Sequence, residues 1–179
     1  MRRMPNGRGG SVASDGISEP RLAVFLDAPN FYRAVKKSGA SVSPADILDY
    51  ARSLGRPAVA IAYLALKDGL PVDHLARTYS ESGYSVKFVP PCYNTKDVDT
   101  TMVADIVQAA YEDFADTFVV VTGDADFVPA LEAARRRGKH AVVLAFPSSC
   151  SEALRSRADA FVPLPIDAAT SPEIPLVTA

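Results

Sequence analysis

Apolar runs alternate with amphipathic stretches along most of this chain, which predicts an α/β fold. Leu22–Leu26, Ala58–Leu64, Ser85–Val89, Thr117–Thr122, Ala141–Phe146 and Ala160–Val162 read as strands. Several are almost wholly apolar, as expected where a parallel strand is covered on both faces. Helical patterning falls between them, at Asn30–Ser38, Pro44–Leu54, Val72–Ser82, Val98–Phe114, Phe127–Arg137 and Ser151–Ser156. Gly39, Gly55, Gly83 and Gly138 follow four of these, where a left-handed C-cap is expected. Ser43-Pro44 combines an N-cap with a proline at the first helical position. The expected architecture is a three-layer α/β/α sandwich around a mainly parallel central sheet.

The periodic part of the chain has clear ends. Residues 1–20 are rich in Gly, Ser, Arg and Pro and read as a flexible N-terminal arm, while 164–179, with Pro165, Pro172 and Pro175, reads as a Pro-rich tail. The domain is therefore expected at 21–163. With 179 residues and 48% hydrophobic content the chain suits one core and leaves no room for a second large domain. A formal charge of −2 and a pI near 5.7 do not mark a nucleic-acid binder, so any such contact would need local basic patches. Cys92 and Cys150 lack the spacing and the His partners of a zinc site. No apolar run approaches the ~20 residues needed to span a membrane, and a soluble, cytoplasmic protein is expected.

Chemistry gathers where the strands end. The first strand stops at Asp27, with Asn30 three residues on, and the fourth stops at Thr122-Gly123-Asp124-Ala125-Asp126. Parallel strands that begin alike end alike, so both groups are expected at one carboxyl edge, where open α/β sheets place ligands. Either acid could simply cap the helix that follows. One cap needs one acid, however, and the fourth strand has two. A third group, Lys96-Asp97-Val98-Asp99 with Asp105, opens the long helix whose apolar stripe is Val98, Met102, Ile106 and Ala109. Asp99 flanks that stripe on the first turn. Asp105 points roughly 120° away at 3.6 residues per turn, which suits a supporting or second-metal role, and Asp97 suits the cap. Converging carboxylates without a Cys or His cluster suggest a hard cation, Mg²⁺ or Mn²⁺.

Phe25-Leu26-Asp27-Ala28-Pro29-Asn30-Phe31, Lys96-Asp97-Val98-Asp99 with Asp105, and Val121-Thr122-Gly123-Asp124-Ala125-Asp126-Phe127 together resemble the NYN domains of the PIN-like nuclease superfamily, in particular the LabA-like (DUF88) branch. Gly138-Lys139-His140-Ala141-Val142, Ser151-Glu152-Ala153-Leu154 and Ala158-Asp159-Ala160-Phe161 resemble its closing elements. The chain departs from the family at Ala28-Pro29, where Gly usually follows the first Asp. The resemblance implies a PIN-like fold and a metal-dependent nuclease that hydrolyses phosphodiester bonds of RNA, single-stranded by preference. It makes Asp27, Asp99, Asp124 and Asp126 catalytic and metal-binding, with Asp105 as a further metal ligand and Asn30 assisting. It leaves a homodimer open, while the lack of a membrane-length apolar run gives no expectation of a membrane partner.

Basic and aromatic residues near these motifs supply candidate substrate contacts. Arg33, Lys96 and Arg136 are candidates for phosphate, Tyr93 for base stacking, and Asn30 for polar contact. The run Arg135-Arg136-Arg137 equally suits a helix C-terminus, and His74, His140 and Cys150 suit surface or packing roles. Two other functions fit parts of the pattern. A LabA-like binding or regulatory module would keep the pocket without turnover. An aspartyl-phosphate phosphatase would need a second Asp two positions after Asp27, where this chain has Pro29.

Overall fold

The computed structural model describes residues 19–66, 72–90 and 97–166. Its strands are β1 (Arg21–Asp27), β2 (Arg56–Ala65), β3 (Ser85–Val89), β4 (Thr117–Val121), β5 (His140–Ala145) and β6 (Ala160–Pro163). They form one sheet in the order β3-β2-β1-β4-β5-β6, and each neighbouring pair is parallel. β1 and β4 sit at the centre, and the apolar composition that marked them follows from cover on both faces: Leu22 to Leu26 and Phe118 to Val121 are at most 1% exposed.

Helices α1 (Ala28–Ser38), α2 (Pro44–Leu54) and α3 (Val72–Glu81) cover one face. There Phe31, Ile47, Leu48 and Tyr79 pack on Leu22, Val24 and Leu26. Helices α4 (Asp97–Glu112), α5 (Val128–Arg136) and α6 (Glu152–Arg155) cover the other, where Met102, Ile106 and Leu131 pack on Ala23, Phe25, Phe118 and Val120. The expected three-layer sandwich is thus present, with a sheet that is parallel at every pairing. Among the described residues no helix is long and apolar enough to cross a membrane.

Local signals explain most element ends. Ser43 forms a capping box with Asp46, accepting from the Asp46 N–H at 3.2 Å while its own N–H donates to the Asp46 carboxylate at 2.7 Å. Gly39 and Gly138 adopt left-handed φ of 69° and 73°. Gly55 differs from the expected cap. Its φ of 157° is positive but not that of a left-handed cap, and a Cβ there would also lie 2.3 Å from the Pro20 carbonyl oxygen. α4 also stops short of the expected Phe114, at Glu112, because Asp113 turns left-handed with φ of 58°, a conformation Asp tolerates better than most residues.

The two edges of the sheet are treated differently. At the amino edge, ion pairs close the surface: Arg21 to Asp116 at 2.7 Å, Arg135 to Asp159 at 2.9 Å, and Lys139 to Asp113. At the carboxyl edge β1 leads into α1 on one face, while β4 leads towards α5 on the opposite face. Adjacent connections that diverge this way open a crevice at the topological switch point, where open α/β sheets bind ligands.

Candidate metal centre at the carboxyl edge of the sheet

Asp124, Asp126 and Asp99 come together at this crevice. One carboxylate oxygen from each lies within 4.8 Å of the other two. Asp124 leaves β4 in an extended conformation and its side chain accepts from the Asp126 N–H at 3.1 Å, which caps the short 3₁₀ turn Ala125–Phe127. Asp124 is therefore the cap, and the side chain of Asp126 projects outward, exposed. Asp99 approaches from the first turn of α4, which lies over the same sheet face. Ligand oxygens about 2.1 Å from one octahedral Mg²⁺ or Mn²⁺ lie roughly 3–4.2 Å apart, so small side-chain adjustments bring the three within range. Oxygen-only donors of this charge fit a hard divalent cation.

Asp27 forms the floor rather than a fourth member of that close group. It is 2% exposed, accepts from the Asn30 N–H at 3.0 Å as the N-cap of α1, and accepts from Thr122 Oγ1 at 3.2 Å. Burial pushes its pKa up to about 6, aided by the negative charge of Asp99, while the Asn30 N–H, the Thr122 hydroxyl and the positive charge of Arg33 oppose the rise. A carboxylate this deep, with no cation in direct contact among the described residues, is costly to keep ionised.

Two loops are laced together around this floor. Thr122 Oγ1 donates to Asp27 and accepts from the Asp124 N–H at 3.3 Å, while the Gly123 N–H donates to Asn30 Oδ1 at 3.2 Å. The Ser151 N–H donates to the Gly123 carbonyl at 2.8 Å, which ties in the segment after β5. Thr122 and Gly123 carry contacts that strand-end patterning does not reveal. A Cβ on Gly123 would lie 2.2 Å from the Ser149 carbonyl oxygen, so the close backbone crossing itself requires glycine. Gly123→Ala is expected to cost about 1–3 kcal/mol by overpacking and to shift Asp124. The check is a lower melting temperature together with a smaller Mn²⁺-induced rise than in the wild type; an unchanged melt would refute this reading of the crossing.

The remaining candidates are spread out. Arg33 is exposed on α1, on the Asp27 side. Asp105 does not join the close group. It pairs with Lys87 at 2.7 Å and accepts from the Tyr63 hydroxyl at 2.8 Å. Arg136 ends α5, a helix that begins at the acids and runs to the opposite edge of the sheet, and there it faces Glu132 at 3.9 Å. Tyr93 and Lys96 lie outside the described residues.

A model of the NYN domain matches residues 21–166. The chain belongs to the NYN domain family. NYN domains are part of the PIN-like nuclease superfamily, so the acidic crevice of this NYN domain occupies a nuclease scaffold. The domain is 28% identical over 141 residues to an uncharacterised protein of Methanocaldococcus jannaschii, matching 79% of this chain and 54% of that protein. It therefore spans about half the length of the archaeal relative. It is 26% identical over 159 residues to the low amplitude and bright protein LabA of Synechococcus elongatus, matching 80% of this chain and 83% of LabA. In fold it resembles a crystal structure of a protein of unknown function from Vibrio parahaemolyticus, with a TM-score of 0.73, 22% identity, and 84% and 95% of the two chains covered.

Proposed function

We propose that this NYN domain is a ribonuclease that hydrolyses phosphodiester bonds of single-stranded RNA at a Mg²⁺ or Mn²⁺ site held by Asp99, Asp124 and Asp126. The observation that carries the reading is the meeting of these carboxylates at the switch point of a nuclease-type sheet. A divalent ion bound there would supply a more acidic water and neutralise charge on the phosphate. The chain's own residues do the positioning. Asp124 is fixed by its cap bond to Asp126 and by Thr122, and Asp99 by the first turn of α4. Asp27 supplies buried negative charge under the site and anchors the Thr122 bridge. Arg33 is exposed and its charge acts on Asp27, which supports a role in meeting the incoming phosphodiester chain.

The test is incubation of the purified full chain with single-stranded RNA in Mn²⁺, in Mg²⁺ and in chelator. The expected result is cleavage with multiple turnover in either metal and none in chelator. Metal-dependent RNA binding without any product would replace this reading with a non-hydrolytic binding module.

A further inference from the structure

Outside the acid cluster, one side-chain group has no role in the chemistry above. Asp27 of β1 pairs in register with Tyr63 of β2, and Tyr63 pairs in register with Lys87 of β3. The three form a row across neighbouring strands at one level, so the backbone of Lys87 lies two strand spacings, roughly 10 Å, from that of Asp27. Tyr63 packs in the core beneath α4. Its hydroxyl donates to Asp105 at 2.8 Å, and the Lys87 ammonium donates to both oxygens of the same carboxylate, at 2.7 and 2.9 Å. The ammonium also sits 6.0 Å from the centre of the Tyr63 ring.

We propose that Asp105 and Tyr63 hold Lys87 as a binding site for a phosphate of the RNA strand flanking the scissile one. The inference rests on the nuclease reading above. Lysine on an edge strand is ordinarily a mobile, solvated charge, yet here it pairs with a carboxylate on the facing helix that a buried phenol holds in turn. The pair is half-exposed on the lysine side, with the Lys87 side chain at 45%, so it adds little to stability. An ammonium has three donors, and the two hydrogen bonds to Asp105 leave the third without a protein acceptor among the described residues. Charge balance points the same way. The crevice gathers Asp27, Asp99, Asp124 and Asp126, and a polyanion bound there needs fixed cations beside the metal. Lys87 lies in register with that crevice, whereas Arg136 is at the far edge of the sheet.

The experiment measures binding of a short fluorescein-labelled single-stranded RNA by anisotropy over a series of salt concentrations, with Ca²⁺ replacing Mg²⁺. For Lys87→Met the expected result is a roughly three- to tenfold weaker Kd near physiological salt, and a slope of log K against log salt smaller by about 0.7, the loss of one phosphate contact on a single strand. Lys87→Arg is expected to restore both, which a purely structural ion pair would not require. A second measurement uses the wild-type protein, so that it does not depend on the variant folding: saturating RNA should slow acylation of the Lys87 amine. An unchanged slope in folded Lys87→Met, or an acylation rate indifferent to RNA, overturns the assignment of Lys87 alone. Wild-type protein that binds no RNA at any salt overturns the ribonuclease reading and this one with it.

Discussion

Asp124→Asn is expected to lower kcat/KM on single-stranded RNA in Mn²⁺ about a thousandfold while leaving the fold intact. The substitution isolates charge from structure. Asn keeps an oxygen to accept the Asp126 N–H, so the cap on the 3₁₀ turn survives, and the Thr122 bridge goes to the Asp124 backbone rather than its side chain. What disappears is one of three negative charges gathered within 4.8 Å. Metal sites contribute several kcal/mol of transition-state stabilisation, and about 4 kcal/mol corresponds to about three powers of ten in rate. Wild-type protein should also gain about 2.7 kcal/mol of stability at a hundredfold excess of Mn²⁺ over its Kd, a rise of roughly 5–10 °C in melting temperature for a domain of this size. The variant should lose most of that rise. Asp99→Asn should behave alike, whereas exposed Asp126 should tolerate Asn with a smaller loss. Cleavage at wild-type rate by Asp124→Asn would remove this carboxylate from the site.

The difference between Asp124 and Asp126 shows how far residue patterns reach. The pattern places both acids at the end of a buried strand, because apolar runs such as Val119 to Val121 announce parallel strands directly. It does not say which acid caps the turn, since Asp124 and Asp126 are equally suited to a cap by type. The backbone decides, with Asp124 extended and Asp126 inside the turn. Thr122 and Gly123 were legible only as the end of the fourth strand. Their contacts reach Asp27, Asn30 and Ser149, residues distant in sequence that meet only because β1, β4 and the segment after β5 end at one level. Asp105 was half-legible: its angle on α4 separates it from Asp99, but its partners depend on the β2–β3 register. Arg136 was a phosphate candidate by residue type, and helix direction sets it away from the acids. A helix that starts at the acids carries its last turn away from them.

Asp27→Asn is expected to do two opposite things: abolish cleavage and stabilise the metal-free domain at neutral pH. Asp27 is buried to 2% exposure, and burial with the nearby Asp99 charge holds its pKa at about 6 against an ordinary 3.8. Between those values the folded state holds a proton that the unfolded state has released. Stability contributed by this group is therefore greatest below about pH 4 and falls as pH rises through about 6, after which it is level. A displacement of about 2 in pKa corresponds to about 3 kcal/mol at most, a cost the folded protein carries at pH 7. Asn can keep the helix cap by accepting the Asn30 N–H and, with its amide facing the Thr122 hydroxyl, carries no charge to desolvate. Thermal melts in chelator from pH 4 to pH 8 should show the wild type losing several degrees across pH 4–6. Asp27→Asn should remain flatter over that interval and melt higher at pH 7. In Mn²⁺ the order should narrow or reverse, because a cation beside Asp99 and Asp124 offsets the buried charge of the wild type and has less to offset in the variant. A variant less stable than wild type at pH 7 in chelator would mean that Asp27 serves the fold more than the site. A gap that shrinks in Mn²⁺ is the sign of a carboxylate kept buried, at a cost in stability, for a cation bound beside it.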